Sequence, residues 1–500
     1  MPAPLIDRRT FSASLLAPLV SAQSPDWVDL FNGQSLDGWK PNENPSSWRV
    51  EGGAIVTAGP RSHLFYAGPV QSAQFRNFEL EVEALAEPLA NGGVYFHTAF
   101  QPEGWPVRGF EVQINNTATG EGNYRENKKT GSLYGVRNVY RQFVNDKEWF
   151  TLNVLVRNRN VQVRLNGMLV VDYTEPAPPP PYPGMEKERR IGQGTFALQC
   201  HDPGSRVRFR RIRVRPLPDN LPLPAGAVEP VADADWRDIL ALGAQNYPMA
   251  DYHVHLKGGL TLQQALERSR IDGIFYGIAI NCGKGHEVET DEGALKFFER
   301  MKGQPCFIAM QAEGREWMQM FSRRVAAMFD YVFTDSMTWS DNRGRRMRTW
   351  IPAEVGTIAD PQEFMDTLVA RAVEIIEKEP IDLYVNPTYV PDQLQPRYEE
   401  LWTEERMRKV LQALAKNGVA MEINDRYEIP SAKFIRMGKE MGVKFAFGTN
   451  NGGAKDLRRC DYGRRMVREC KLSWSDFWTP APAGKRAVDR KGGALRQATA

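Results

Sequence analysis

Seven short apolar segments in the second half of the chain each run into a polar residue. They are 251–255, the strand into Asn281, 306–313, 331–335, 381–386, 419–424 and 443–450. Helical patterns at 260–270, 291–301, 361–378, 403–416, 431–441 and 456–470 separate most of them. Buried strands alternating with covering helices predict an α/β, seven-stranded (TIM-like) barrel over residues 235–480, with any chemistry at the C-terminal ends of its strands. Asp360-Pro361 and Thr403-Glu404-Glu405 supply helix caps and first turns.

The first half has a different period. Phe78, Leu80, Val82 and Ala84 alternate with Glu79, Glu81 and Glu83, the pattern of a strand with one wet face. Phe150, Leu152, Val154 and Val156 repeat it. Val161, Val163 and Leu165 lead into Asn166-Gly167, a type I′ hairpin signal, and Met168 and Val170 follow. The phase slip at Arg210-Arg211, between Val207/Phe209 and Ile212/Val214, predicts a bulge. Many short strands and no long helix predict an all-β, two-sheet sandwich over 26–216. The Pro-rich stretch 217–234 reads as a linker, and 176–183 as an extended surface loop. The basic, Gly/Ala-rich residues 481–500 read as a disordered tail.

Five hundred residues with a formal charge of +3 give no basic stripe, which argues against nucleic acid as a partner. No apolar run is long enough for a bilayer, so the chain is not expected to be an integral membrane protein. Arg8-Arg9-Thr10-Phe11, the apolar run to Val20 and the small pair Ser21-Ala22 read as a twin-arginine-like export signal over 1–22. That reading places the mature protein in the periplasm or outside the cell. Five widely spaced cysteines without a CxxC pair favour buried free thiols over a disulfide framework.

The opening Trp27-Val28-Asp29-Leu30-Phe31-Asn32-Gly33-Gln34-Ser35-Leu36-Asp37-Gly38-Trp39 is followed by three further motifs. They are Asn91-Gly92-Gly93-Val94-Tyr95-Phe96, Gly109-Phe110-Glu111-Val112-Gln113-Ile114 and Thr130-Gly131-Ser132-Leu133-Tyr134-Gly135, with His201-Asp202 near the end. Together they resemble the 3-keto-disaccharide hydrolase domain family across 26–216. The resemblance implies a concanavalin-like jelly roll and action on 3-keto-glycosides. A ketone at C3 acidifies the C2–H, so a base can remove that proton and expel the anomeric substituent, after which water adds. Such chemistry needs a general base and a Lewis acid or oxyanion donor. Glu111 and Gln113 share one strand face, and His201 ends a strand. Lys128 or Lys129 lies in a loop before Thr130-Gly131, and Lys129 completes the catalytic set with Glu111 and His201. Gln113, His97, Tyr134 and Trp105 are the substrate-binding candidates, with aromatic rings, Tyr124 among them, able to stack on sugars. A separate sugar 3-oxidoreductase is the expected partner, because the chain carries no dinucleotide fingerprint.

In the second half, His253 and His255 lie on one face of a strand. With Glu313 and Asp335 they would form a mixed nitrogen and oxygen site for a divalent metal ion, Zn, Mn or Fe. Arg315, Asn386 and Asn450 are substrate-binding candidates at the same strand ends. The opening Asp251-Tyr252-His253-Val254-His255, the Glu313 strand and Gly448-Thr449-Asn450-Asn451 resemble the PHP-type (polymerase and histidinol phosphatase) metal-dependent hydrolases over 249–475. That family has His-Pro where this chain has Asn386-Pro387, and Ser-Asp-x-His where it has Thr449-Asn450-Asn451-Gly452. Amides thus replace two or three ligands. A reduced one-metal site, a metal-free sugar-binding or catalytic barrel, and a scaffold with a vestigial pocket all stay open. The chain reads as an exported carbohydrate-active hydrolase or lyase cleaving 3-keto-glycosides with metal assistance. The alternative is a carbohydrate-binding jelly roll attached to a metal-dependent hydrolase barrel.

Overall fold

The computed structural model describes residues 26–120, 124–183, 188–340 and 345–497. The expected export signal lies outside them. No helix among the described residues is long and apolar enough to cross a membrane.

Thirteen strands build the first domain: β1 (Val28–Asp29), β2 (Trp39–Pro41), β3 (Trp48–Glu51), β4 (Ala54–Thr57), β5 (Ser62–Tyr66), β6 (Asn77–Ala86), β7 (Asn91–Thr98), β8 (Phe110–Asn115), β9 (Phe150–Arg157), β10 (Asn160–Leu165), β11 (Met168–Thr174), β12 (Thr195–Cys200) and β13 (Val207–Leu217). One antiparallel sheet runs β11-β10-β9-β6-β13-β4-β3, with β1 on β13, and the other runs β2-β5-β12-β7-β8. Phe78, Leu80, Val82 and Ala84 of β6 are fully buried between the sheets. Their alternates Glu79, Glu81 and Glu83 pair outside with Arg215, Arg213 and Arg210 of β13. At Asn166 and Gly167 φ is 48° and 85°, the type I′ turn that joins β10 to β11. The β13 register slips between Arg210 and Arg213, where Arg211 takes φ 50°, so the bulge is present.

Seven parallel strands close the second domain into a barrel. They are β14 (Ala250–His255), β15 (Phe275–Cys282), β16 (Phe307–Ala312), β17 (Tyr331–Thr334), β20 (Leu383–Tyr384), β21 (Ala420–Asn424) and β22 (Phe445–Gly448). A hairpin of β18 (Thr338–Ser340) and β19 (Arg346–Arg348) interrupts them, unannounced in the sequence. Helices Asp291–Met301 and Pro361–Lys378 fall where the periodicity puts them, and Asp360 caps the second by accepting from the Gln362 and Glu363 amides. The rings of Tyr252, Phe307, Tyr331, Phe333 and Trp478 pack edge to face or stacked through the barrel interior. Tyr252, Phe307, Tyr331 and Phe333 are buried, and burial of each ring contributes about 1.5–3 kcal/mol.

The last residues depart from the expected disordered tail. Helix Ala487–Lys491 lies on the barrel, Ala487 N–H donates to Asp382 Oδ1 at 2.7 Å, and Val488 and Leu495 are buried. Those apolar residues give the segment a reason to pack that its basic composition conceals. Helix α1 (Ala234–Ala244) follows the Pro-rich stretch and inserts Trp236 and Leu240 beside the sandwich core.

The sandwich docks on one end of the barrel. Arg141 donates to Cys306 O at 2.9 Å and to Asp330, Tyr140 Oη accepts from Met249 N–H at 3.1 Å, and Tyr140 meets Phe275 edge on. These barrel residues immediately precede or begin β14 to β17, so the contact is with the N-terminal strand ends. The C-terminal strand ends, with their polar residues, open on the far side.

Candidate active site

The β7, β8 and β12 strands are neighbours, and their side chains alternate between the two sheet faces. Val94, Phe96, Val112, Ile114 and Leu198 enter the core. Tyr95, Glu111, Gln113 and Gln199 face the other way, under the loop that follows β8. With Asn91, Trp105, Tyr124, Glu126, Tyr134, Arg189 and His201 they line a cavity of about 280 Å³. Of the residues expected in this site, Glu111, Gln113, Tyr134, Trp105 and His201 all reach it.

Glu111 is 8 % exposed. Its Oε2 accepts from Tyr95 Oη at 2.8 Å and its Oε1 from Gln199 Nε2 at 3.0 Å. Burial pushes the carboxyl up to about 7, against the pull of the Tyr95 bond and the Arg189 charge. The carboxylate lies over Gly93, where a Cβ would meet Glu111 Oε1 at 2.4 Å, so the Asn91-Gly92-Gly93 motif leaves room for it. His201 stands at the lip, its Nδ1 2.8 Å from Asp202 Oδ2 and its ring 5.0 Å from Trp105. Ser205 and Gly204 hold Asp202 in turn.

The opposite wall is a network of donors. Tyr124 and Tyr134 hydroxyls lie 2.9 Å apart and both reach Glu126. Arg189 Nη1 donates to Tyr134 O at 2.6 Å. The Lys128 ammonium is fully buried, 3.7 Å from Glu126 Oε1 and 4.5 Å above the Tyr134 ring. It also donates to Asn246 Oδ1, while Asn127 Nδ2 donates to Asn246 O at 3.1 Å. Asn246 precedes β14, so the barrel domain supplies part of this wall.

Two expected members sit elsewhere. Lys129 points to Ala118 O at 3.5 Å and is pushed down to about 8 by burial, but does not line the cavity. Successive residues face opposite sides of an extended segment, and Lys128 has the inward place. His97 Nε2 contacts Arg76 O at 2.9 Å and its Nδ1 accepts from Gly192 N–H, beside a separate cavity with Arg108. Its left-handed backbone, φ 54°, breaks the alternation that would have aimed it at Glu111. Tyr95 and Gln199 were not among the expected site residues, although the alternation along β7 and β12 is the signal that places them on the cavity face. Glu126, Arg189 and Asn246 lie in loops without periodicity.

At the far mouth of the barrel, His253 Nδ1 is 2.7 Å from Glu422 Oε1 and its Nε2 3.2 Å from Gln311 Oε1. Glu422 Oε2 accepts from Asn386 N–H at 2.7 Å and Asn424 Nδ2 at 3.0 Å. Asn386 Nδ2 donates to Asp335 Oδ2 at 2.8 Å, Asn450 Nδ2 to Asn386 Oδ1 at 3.0 Å, and Asn281 Nδ2 to Glu313 Oε1 at 2.8 Å. Burial and the neighbouring Asp335 push Glu313 up to about 8. Among the described residues no group of three or more His, Cys, Asp or Glu side chains is arranged to hold a metal ion. Arg315 turns to Glu379, at 2.5 Å, and to Thr334, and braces the barrel wall.

Residues 26–215 match the family model of the 3-keto-alpha-glucoside-1,2-lyase-like domain, which spans the sandwich and stops before the barrel. No curated protein matches the chain in sequence. Among solved structures, a candidate glycosyl hydrolase from Parabacteroides distasonis is 23 % identical at TM-score 0.33, covering 38 % of this chain and 94 % of that one. The carbohydrate-binding module CBM66 from Bacillus subtilis is 12 % identical at TM-score 0.25, covering 36 % and 95 %. SCLam, a non-specific endo-beta-1,3(4)-glucanase of family GH16, is 13 % identical at TM-score 0.26, covering 38 % and 88 %.

Proposed function

We propose that the sandwich cleft cleaves 3-keto-glycosides by elimination and hydration. The observation that carries this reading is Glu111: a buried carboxylate, half ionised near neutral pH, facing a cavity walled by hydroxyl and cationic donors. The family description of residues 26–215 supports the substrate class. Glu111 takes the C2 proton, and the electron pair moves into the C2–C3 bond and onto the ketone oxygen. Tyr134 and Arg189 on the wall donate to that enolate oxygen, and the buried Lys128 ammonium at the Tyr134 ring adds positive charge from behind. The enolate then expels the C1–O bond, and His201, oriented by Asp202, gives the leaving oxygen its proton. Water adds across the resulting C1–C2 double bond, its hydroxyl to C1 and a solvent-exchanged proton to C2, leaving the free 3-keto sugar.

Among the described residues no three His, Cys, Asp or Glu side chains converge on the cleft to hold a divalent metal. The donor set does not fit a metal. The test is turnover of a 3-keto-glucoside by the full-length protein and by Glu111→Gln. Loss of turnover with an unchanged thermal melt is the expected result; an undiminished rate refutes the reading.

A further inference from the structure

We infer that the C-terminal mouth of the barrel is a second ligand site, built without a metal ion, for a neutral polyhydroxylated ring such as a monosaccharide. The inference rests on the barrel geometry alone and stands apart from the reading of the sandwich cleft.

Three carboxylates, Glu313, Asp335 and Glu422, are each at most 4 % exposed at the ends of β16, β17 and β21. A packed core has no need of that many desolvated acids, and their cluster lies where barrels place their chemistry. A second observation points to an occupant. His255 is 3 % exposed, its ring is 5.1 Å from that of His253, and its Nε2 has no hydrogen-bond partner. Glu313 Oε2 has only long contacts, Thr338 Oγ1 at 3.5 Å and His286 Nε2 at 3.8 Å. An unmet imidazole nitrogen and a weakly partnered carboxylate oxygen are what a pair of sugar hydroxyls would satisfy.

The same network disfavours a metal. Both His253 nitrogens are already engaged within the protein, Nδ1 with Glu422 Oε1 at 2.7 Å and Nε2 with Gln311 Oε1 at 3.2 Å. Asp335 accepts from Met337 N–H and Asn386, and Glu422 from Asn386 and Asn424. Amide donors have taken the places where a cation would sit. They are held there by backbone that suits asparagine, with φ 47° at Asn386 and 51° at Asn450. Position 448 must be glycine, since a Cβ there would meet Glu422 Oε1 at 2.1 Å.

The lip supplies the remaining half of a sugar site. The rings of Tyr389 and Tyr427 lie 5.0 Å apart, over an apolar patch with Met337 and Ile429. Polar floor and aromatic lip match the hydroxyl edge and the C–H face of a pyranose. The three acids disfavour an anion, and the adjacent Arg315 is committed to Glu379 and Thr334.

The test is isothermal titration calorimetry of the full-length protein in EDTA with D-glucose, on the wild type, Glu313→Gln and Glu111→Gln, with thermal melts of each. Saturable binding at about 1 mM, weakened about ten-fold or more by Glu313→Gln and unchanged by Glu111→Gln, is the expected result. If Glu313→Gln does not fold, Tyr427→Ala at the half-exposed lip replaces it, with the same expected loss. No saturable heat, heat lost only in Glu111→Gln, or binding that appears only when zinc or manganese is added would each overturn the inference.

Discussion

The sandwich cleft and the barrel mouth both bury carboxylates, and they treat them differently. In the cleft, Glu111 borders a cavity of about 280 Å³ that Arg189, Tyr124 and Tyr134 also line. At the mouth, Asp335 and Glu422 are enclosed by asparagine amides and a histidine at 2.7–3.0 Å. An acid beside a cavity with cationic donors opposite can exchange a proton with a bound molecule. An acid locked by amides positions its neighbours instead. The same residue type therefore reads as a base in one region and as scaffolding of a binding floor in the other.

Substitution separates the two most sharply. Glu111→Gln lowers kcat/KM on a 3-keto-glucoside by about 10²–10⁴-fold, whereas Glu422→Gln leaves it within about two-fold, both measured by steady-state kinetics. The reverse pattern would move the chemistry to the barrel. Behind the cleft wall, Lys128→Met costs about 10²-fold in kcat while its neighbour Lys129→Met changes little, since only the former holds its charge against the Tyr134 ring. Acidity gives a third contrast. A carboxyl pushed up to about 7 is protonated below that pH, so kcat/KM rises with pH through about 7, and Glu111→Gln removes that limb. The joint between domains comes next. Asn246→Ala leaves the buried Lys128 ammonium short of an acceptor and destabilises the protein by about 1–3 kcal/mol in denaturant titration, with kcat reduced more than KM is raised. The smallest effect belongs to the outer ladder of the sandwich. Arg213→Ala breaks its pair with Glu81 on a partly exposed face and changes stability by about 1 kcal/mol or less.

What the chain revealed in advance follows from periodicity. Alternation placed β6, β9, β10 and β13, and the Asn-Gly pair placed the hairpin, because each depends on neighbours in sequence. The barrel's seven strand ends were visible because each apolar run stops at a polar residue. Glu111 and Gln113 were legible as one face of one strand. Arg189, Glu126 and Asn246 were not, because loops carry no period and their roles arise only when distant segments meet. Lys128 and Lys129 were both in view, but choosing between them required the direction of each side chain. The same limit holds for His253: its spacing from His255 suggested a metal, and only the meeting with Glu422 and Gln311 revealed a hydrogen-bonded pair.

The central claim is that Glu111 removes the C2 proton of a 3-keto-glycoside. Turnover of a C2-deuterated 3-keto-glucoside beside the protiated one, by full-length wild-type protein, tests it most directly. A primary isotope effect on kcat/KM, with release of the deuteron to solvent, is the predicted result. Cleavage at equal rates, with deuterium fully retained at C2 in the product, would contradict it.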